Sequence, residues 1–370
     1  MRVAVVGGGA VGTTAAYDLA RRGADVWLYE RDAVASDAAS TGRAAGICYD
    51  AFADRRDADL ARRALGRFRD LSGEGFSFTD CPYVWLARAG DDSRAAAIEE
   101  QVPRMREHGL DVALLDADEL AARFPALETA DVAVAAVARD AGYLDPAAYA
   151  REMADRAREA GATIKTGTEV GVTTGPDPAV LTPAGERAVD AVLVAAGAHA
   201  KAILAAAGVT IPLKPYRVQA LVTGPTDPAV PMLYDATAGV YLRPRGGGVL
   251  VGDGTEPRAF DPDDWKQSAD DDFVADAREH LRRAIGVAPA VERAWAGLCT
   301  ATPDRDPLVG EVADCVYVAT GWQGHGVMRA PAIGDAVARE VLGADGIPGF
   351  DPGRFDGDEE FAVAEGMAVE

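Results

Sequence analysis

The glycines at positions 7, 9 and 12, with a carboxylate eighteen residues further on at Glu30, form the constellation of greatest chemical content in this chain. In the spacing G-x-G-x-x-G the first glycine permits a tight turn. The second lets a diphosphate approach the backbone, and the third lets a helix pack closely on a strand. Ala10 and Val11 lie between the last two glycines, where N–H groups and the helix dipole favour phosphate oxygens. Glu30 is suited to accept hydrogen bonds from ribose hydroxyls, and an acid at that point, followed by Arg31, argues against a 2′-phosphate.

This chemistry needs a strand, a helix and a second strand to position it, and the flanking sequence supplies all three. Val3 to Val6 is an apolar run of the kind that forms a buried parallel strand. Ala15, Ala16, Leu19 and Ala20 follow at helical spacing, Arg22-Gly23 ends the helix, and Val26 to Tyr29 makes the next strand. A dinucleotide-binding βαβ unit is the expected structure.

A second glycine turn lies about three hundred residues later, where Val316 to Thr320 leads through Gly321, Trp322, Gln323, Gly324, His325 and Gly326 into a helix predicted over about 328–342. A helix N-terminus aimed at N1 and the C2 carbonyl of an isoalloxazine stabilises the reduced ring. A nicotinamide has no such need, so this second unit points to FAD.

Between these ends, residues 35–47 form a small-residue, hydroxyl-bearing loop, and residues 54–71 an Arg-rich amphipathic helix. Tyr83 to Ala87 reads as a strand, 93–108 as a charged helix, and Asp145-Pro146 as the N-cap and first position of a helix to Glu159. Val170 to Val172 and Ala188 to Gly197 read as strands, the second ending on small residues near the cofactor crevice. The clearest strands of the block from Pro212 to Val251 are Gln219 to Val222 and Gly239 to Pro244, with a glycine hairpin at 246–248. Acidic loop and helix are expected over 261–285, and a loose acidic tail beyond about 353.

Composition narrows the class. At 370 residues the chain suits two domains, with 59 acidic against 37 basic residues and a net charge of −22. Lysine is confined to Lys165, Lys201, Lys214 and Lys266. The acidity is dispersed, which suits a salt-rich cytoplasm where screening removes self-repulsion, and a halophilic source is expected. Nucleic acid and anionic membrane are poor partners for such a charge. No apolar run reaches a membrane span, and Met1-Arg2 belongs to the first strand, so a cytoplasmic location is expected. Cys48, Cys81, Cys299 and Cys315 lack zinc-ligand spacing, the four histidines are scattered, and no metal is expected.

The ordered set Gly7–Glu30, Ser40–Gly46, Asp140–Pro146, Val192–Gly197, Thr302–Gly310 and Gly321–Gly326 resembles the FAD-dependent D-amino-acid oxidase superfamily. The likeness is to its glycine oxidase, sarcosine oxidase and dimethylglycine dehydrogenase branch. That resemblance implies an α/β chain with a discontinuous Rossmann-type FAD-binding domain (1–75, 140–210 and 293–350). A second, α+β substrate domain on an antiparallel sheet would come from 76–139 and 211–292, with an acidic C-terminal tail over 351–370. It also implies cofactor contacts from Ser40, Thr41, Arg43, Ala44, Ala45 and Gly46, from Val170, Ala196 and Gly197, and from Gln323, Val327 and Met328 around the second turn.

The implied reaction is hydride transfer from a carbon beside an amine to flavin N5, with oxygen or an electron carrier as acceptor. A sarcosine, dimethylglycine or proline-like substrate is expected. The alternatives are glycine or a D-amino acid, a 2-hydroxy acid, or service as the flavin subunit of a larger dehydrogenase; a homo-oligomer is also possible. Arg43 and Gly297 stand where relatives carry a flavin-linked His or Cys, so non-covalent FAD is expected. Cys299 and Met328 replace the basic residues that hold a substrate carboxylate in relatives, leaving Arg243 as the candidate anchor, Tyr241 as a pocket wall and His325 at the flavin edge. The strand Val249 to Val251 lacks the lysine that sarcosine oxidase-like members use to activate oxygen.

Overall fold

The structure, a computed structural model, describes residues 1–226, 230–253, 255–364 and 366. Parts of two expected regions, 227–229 and 254 of the substrate domain and 365 and 367–370 of the tail, lie outside the described residues.

One six-stranded sheet carries the opening βαβ unit. Its order is Leu308–Ala313, Val316–Thr320, Ala191–Val194, Arg2–Val6, Asp25–Tyr29, Thr163–Lys165, with every pairing parallel except the first. The near-continuous apolar runs follow from burial on both faces: Val3, Ala4 and Val5 are wholly buried, as are Val192, Leu193 and Val194. Helices Ala10–Arg21, Pro146–Glu159 and Gly326–Val341 pack together on one face. They approach closely where Gly334 faces Thr14; a Cβ there would sit 2.5 Å from Thr14 Cγ2. Asp145 caps its helix as expected, accepting from the Ala148 N–H at 2.9 Å, with Pro146 at the first helical position.

An eight-stranded sheet faces this unit, in the order Val291–Ala301, Lys214–Thr223, Gly248–Asp253, Val240–Arg245, Met232–Asp235, Tyr83–Arg88, Val132–Ala138, Val112–Leu115. It is antiparallel apart from the parallel pair Met232–Asp235 with Tyr83–Arg88. Side chains alternate across it. Val84, Leu86, Leu233 and Leu242 join the core under helix Asp271–Ile285, while Tyr83, Trp85 and Tyr234 join the core shared with the first unit.

Three details differ from expectation. Residues 293–301, placed with the cofactor unit on sequence, pair along Lys214–Thr223 and so extend the eight-stranded sheet. The segment 40–43 forms a short helical turn rather than open loop. The described part of the tail is packed rather than loose, because Phe355 and Val363 bury apolar surface against the body. Among the described residues no helix is long and apolar enough to cross a membrane.

Candidate active site

The phosphate-binding turn has the geometry its glycines imply. Gly7 lies at φ +114°, and a Cβ on it would stand 2.4 Å from the Ala195 carbonyl oxygen. A Cβ on Gly12 would stand 2.1 Å from the Gly7 oxygen, so only glycine lets helix and strand meet there. Gly9 is extended at the N-cap, and its nearest neighbour on that side is Thr41 Oγ1, which accepts from the Ala10 N–H at 3.1 Å. Val11 is buried against the sheet. Glu30 closes the turn: Oε2 accepts from the Gly8 N–H at 2.7 Å and Oε1 from the Asp32 N–H at 2.9 Å. A carboxylate has about four lone-pair sites, so capacity for ribose hydroxyls remains.

These features fit the adenosine diphosphate half of FAD. Val170 packs in one apolar cluster with Tyr29 and Val194, and Ala196 and Gly197 (φ +55°) pass behind the Gly7 turn, where Thr320 Oγ1 donates to the Gly197 carbonyl at 3.0 Å. Arg31 points outward. Its guanidinium lies 3.2 Å from Asp263, whose carboxylate also meets His199 Nε2 at 3.1 Å. Asp263 thus joins the tips of two strands that flank the glycine turn.

The 40–46 segment is wedged between the two units and spends its polar groups on the seam. Ser40 Oγ donates to the Leu298 carbonyl at 2.7 Å. Arg43 donates to the carbonyls of Asp37, Gln267 and Ala296 and to Gln267 Oε1, and its guanidinium lies over the Trp265 ring. Its side chain is therefore a clasp to the eight-stranded sheet, and its backbone carbonyl also accepts from Trp295 Nε1 at 3.0 Å. Gly297 sits where a Cβ would touch Arg43 Cβ at 3.4 Å. The Ala44 N–H continues the helical turn by donating to the Thr41 carbonyl, and Gly46 (φ +72°) abuts Leu144.

The second turn is equally specific. Gly321 and Gly324 have φ +80° and +83°, and Gln323 adopts φ +51°. The helix begins at Gly326, two residues before the predicted start, with His325 as N-cap, Val327 half-buried and Met328 buried in the core. His325 is 6% exposed, and its Nε2 lies 3.3 Å from the Tyr49 hydroxyl. Burial first, and the Arg329 charge second, hold its pKa down at about 3, so the ring is neutral near pH 7.

Tyr241 and Arg243 share one side of Val240–Arg245, and Tyr241 packs there with Ala45 in one apolar cluster and against the core shared with the first unit. The Tyr241 ring covers Gly252 on the neighbouring strand, where a Cβ would clash at 2.0 Å. Arg243 is 3% exposed, donates to the carbonyls of Ala45 and Pro244, and lies 5.0 Å over the Tyr143 ring. Burial, with the Arg245 charge adding to it, draws its pKa down to about 10. The buried arginines are Arg88, Arg217, Arg243 and Arg329. Three are paired with carboxylates: Arg88 with Asp131 and Asp235, Arg217 with Glu256 and Asp270, Arg329 with Asp57. Among the described residues no Asp or Glu pairs with Arg243. Buried charges are normally paired, so this guanidinium is set up for an anion.

Sequence reasoning missed the strand Ile47–Tyr49 that links these groups. Cys48 feels the Arg243 charge, although burial pushes its thiol pKa up and leaves it inert. Tyr49 reaches His325 and stacks on Tyr83 at 4.2 Å between ring centroids, Tyr83 stacks on Trp85, and Phe52 meets both Tyr49 and His325. The signal available was the row of aromatics after a small-residue loop; nothing in it showed that Tyr83 and Trp85 from a distant strand would join them.

A family model described as FAD dependent oxidoreductase matches residues 2–340. Among curated relatives, 4-methylaminobutanoate oxidase (formaldehyde-forming) of Paenarthrobacter nicotinovorans is 28% identical over 96% of this chain. This chain spans only 45% of that protein's length. Glycine oxidase of Bacillus licheniformis is 27% identical, with 92% of each chain covered. The crystal structure of L-proline dehydrogenase from P. horikoshii superposes with a TM-score of 0.86 at 28% identity, covering 96% of this chain and 97% of the other. The match over nearly the whole sequence, on a fold with both glycine turns in place, makes this chain a member of the FAD dependent oxidoreductase family and a flavoenzyme.

Proposed function

We propose that this chain oxidises the C–N bond of a small amine that carries a carboxylate, with a secondary or tertiary amine such as an N-methylated amino acid or proline as the fitting class. The observation that carries the reading is Arg243, buried and, among the described residues, in no ion pair with an Asp or Glu. A substrate carboxylate supplies the missing partner through a charge-assisted hydrogen bond. The names of the relatives agree: 4-methylaminobutanoate, glycine and L-proline each join an amine to a carboxylate.

FAD supplies the hydride acceptor, and the protein supplies position and environment. Gly7 to Gly12 and Glu30 hold the adenosine diphosphate, and Gly321 to Gly326 the ring end. Arg243 fixes the carboxylate end of the substrate, and the rings of Tyr49, Phe52, Tyr83 and Trp85 give an apolar surround that favours the uncharged amine and excludes water. His325, kept neutral, shares a proton with the Tyr49 hydroxyl and adds no positive charge to repel an ammonium substrate as it enters.

The test is anaerobic bleaching of the bound flavin by a panel of N-methyl amino acids, proline, glycine, D-amino acids, 2-hydroxy acids and amines without a carboxylate. Rapid bleaching by carboxylate-bearing secondary or tertiary amines supports the reading. Equal bleaching by amines lacking the carboxylate removes the Arg243 anchor, and bleaching by hydroxy acids alone removes amine oxidation. Admitting air, or adding a dye acceptor instead, then distinguishes oxygen from a separate carrier.

A further inference from the structure

The C-terminal segment contributes nothing to the site described above, yet it is built onto the second glycine turn. Gln323 is a non-glycine residue in the left-handed region, 3% exposed, and such a conformation costs about 1–2 kcal/mol and persists only where its surroundings enforce it. Two sets of contacts hold it. From the body, the Gln323 N–H donates to the Thr300 carbonyl at 2.8 Å, and the Trp322 N–H to Thr300 Oγ1 at 3.1 Å. From the tail, the Ala364 carbonyl accepts from Gln323 Nε2 at 2.7 Å. Gly366 lies so close that a Cβ would stand 2.1 Å from the Gln323 carbonyl oxygen.

The tail is fastened on the way. Lys214 Nζ donates to the Phe361 carbonyl at 2.6 Å and lies 4.5 Å over the Phe361 ring. Val363 is buried in a small cluster with Tyr216 and Ala301, and the Tyr216 hydroxyl is the nearest atom, at 3.9 Å, to a Cβ built on Gly324. Tyr216 therefore lies beside both the tail and the turn. Gly357 (φ +100°) bends the chain against Thr210, where a Cβ would meet Oγ1 at 2.5 Å. The whole segment lies beyond the family-matched residues 2–340.

We propose that residues 359–364, together with Gly366, are a positioning strap for the flavin ring, with Gln323 as the residue through which the strap acts. The strap sets the backbone of the turn whose helix N-terminus faces the cofactor, so its loss loosens FAD and alters the ring environment. The proposal rests on FAD lying against Gly321–Gly326. A strap that only covers apolar surface would affect melting and leave the flavin signals unchanged.

The experiment uses the FAD-loaded full chain with three changes: Gly366→Val, which drives the strap off the turn; Gln323→Met, which removes the amide; and a chain ending at Asp358. FAD release after dilution is followed by flavin fluorescence, the bound ring by visible circular dichroism, and the fold by far-ultraviolet circular dichroism in excess FAD. The expected result is release faster by about tenfold, the scale of one lost buried hydrogen bond with its partner left unpaired, and an altered visible band on an unchanged fold. Release and visible spectrum unchanged in both Gly366→Val and Gln323→Met overturn the proposal, whatever the truncated chain does. A wild-type protein that takes up no FAD overturns it too, by a separate signature: the cofactor assignment fails before any variant is compared.

Discussion

The Arg243 guanidinium donates through Nε to the carbonyl of Ala45, a residue 198 positions earlier in the chain. That bond ties the large sheet to the loop that follows the dinucleotide-binding unit. The candidate substrate anchor and that loop are thereby held in one register, and a shift of either displaces the other.

Replacing Arg243 tests the anchor without breaking an ion pair, since no protein carboxylate depends on it among the described residues. Arg243→Leu is expected to raise KM for a carboxylate-bearing amine by about 10–100-fold, the loss of a charge-assisted hydrogen bond. FAD content is measured alongside, because the same change also removes the bond to the Ala45 carbonyl. Steady-state kinetics with an amino acid and with the matching amine lacking a carboxylate make the check. An equal effect on both substrates would show that Arg243 acts on the pocket as a whole.

The two glycines of the phosphate turn should separate folding from binding. Gly12→Ala places a Cβ 2.1 Å from the Gly7 oxygen, a backbone atom that cannot yield, so low soluble expression or a large fall in Tm is expected. Gly9→Ala meets only Thr41 Oγ1 at 3.1 Å, so it should fold and bind FAD more weakly. Thermal melts with and without added FAD distinguish the two.

Stability should depend on pH through two groups of opposite sense. Burial first, with the Asp351 and Glu311 charges adding to it, raises the Glu340 pKa to about 7 from an ordinary 4.5, and Oε2 has no hydrogen-bond partner. A raised acid binds its proton more tightly when folded, so this contribution is full below 4.5 and is lost as pH rises through 7. His325 runs the other way: with its pKa lowered from 6.5 to about 3, its contribution is present above 6.5 and lost as pH falls toward 3. Glu340→Gln should therefore flatten Tm between pH 4.5 and 7 and raise it at pH 8, leaving the acid limb as it was. A Tm profile that keeps its wild-type slope above 4.5 would exclude Glu340.

Arg43 is engaged on the seam and Gly297 has no side chain, so neither offers a nucleophile to the flavin. Acid precipitation should leave the flavin in the supernatant. A yellow pellet would mean a covalent link through another residue.

With a net charge of −22 the surface repels itself in dilute buffer. Raising the salt from about 0.1 M to about 1 M shortens the screening length from ~10 Å to ~3 Å and should raise Tm by several degrees. A Tm that falls with potassium chloride would remove the proposed adaptation to a salt-rich cytoplasm.

The two glycine turns are legible in the sequence because local chemistry dictates them. Gly7, Gly9, Gly12 and Glu30 are constrained by contacts within one βαβ unit, and Gly321 to Gly326 by the conformations one turn requires. The identity of the cofactor followed from having both. The environment of the substrate did not follow, because it depends on which strands meet. The sequence could show that Arg243 is a cation on a strand; only the packed chain shows it buried beside Ala45 with no Asp or Glu paired to it among the described residues. The same holds for Tyr49, which gains its neighbours His325 and Tyr83 from segments far away in the chain. The tail is the sharpest case. Its acidic composition suggested a loose end, but burial is decided by a few apolar side chains and carbonyls finding partners, and Val363 and Ala364 find theirs only once Tyr216 and Gln323 are in place.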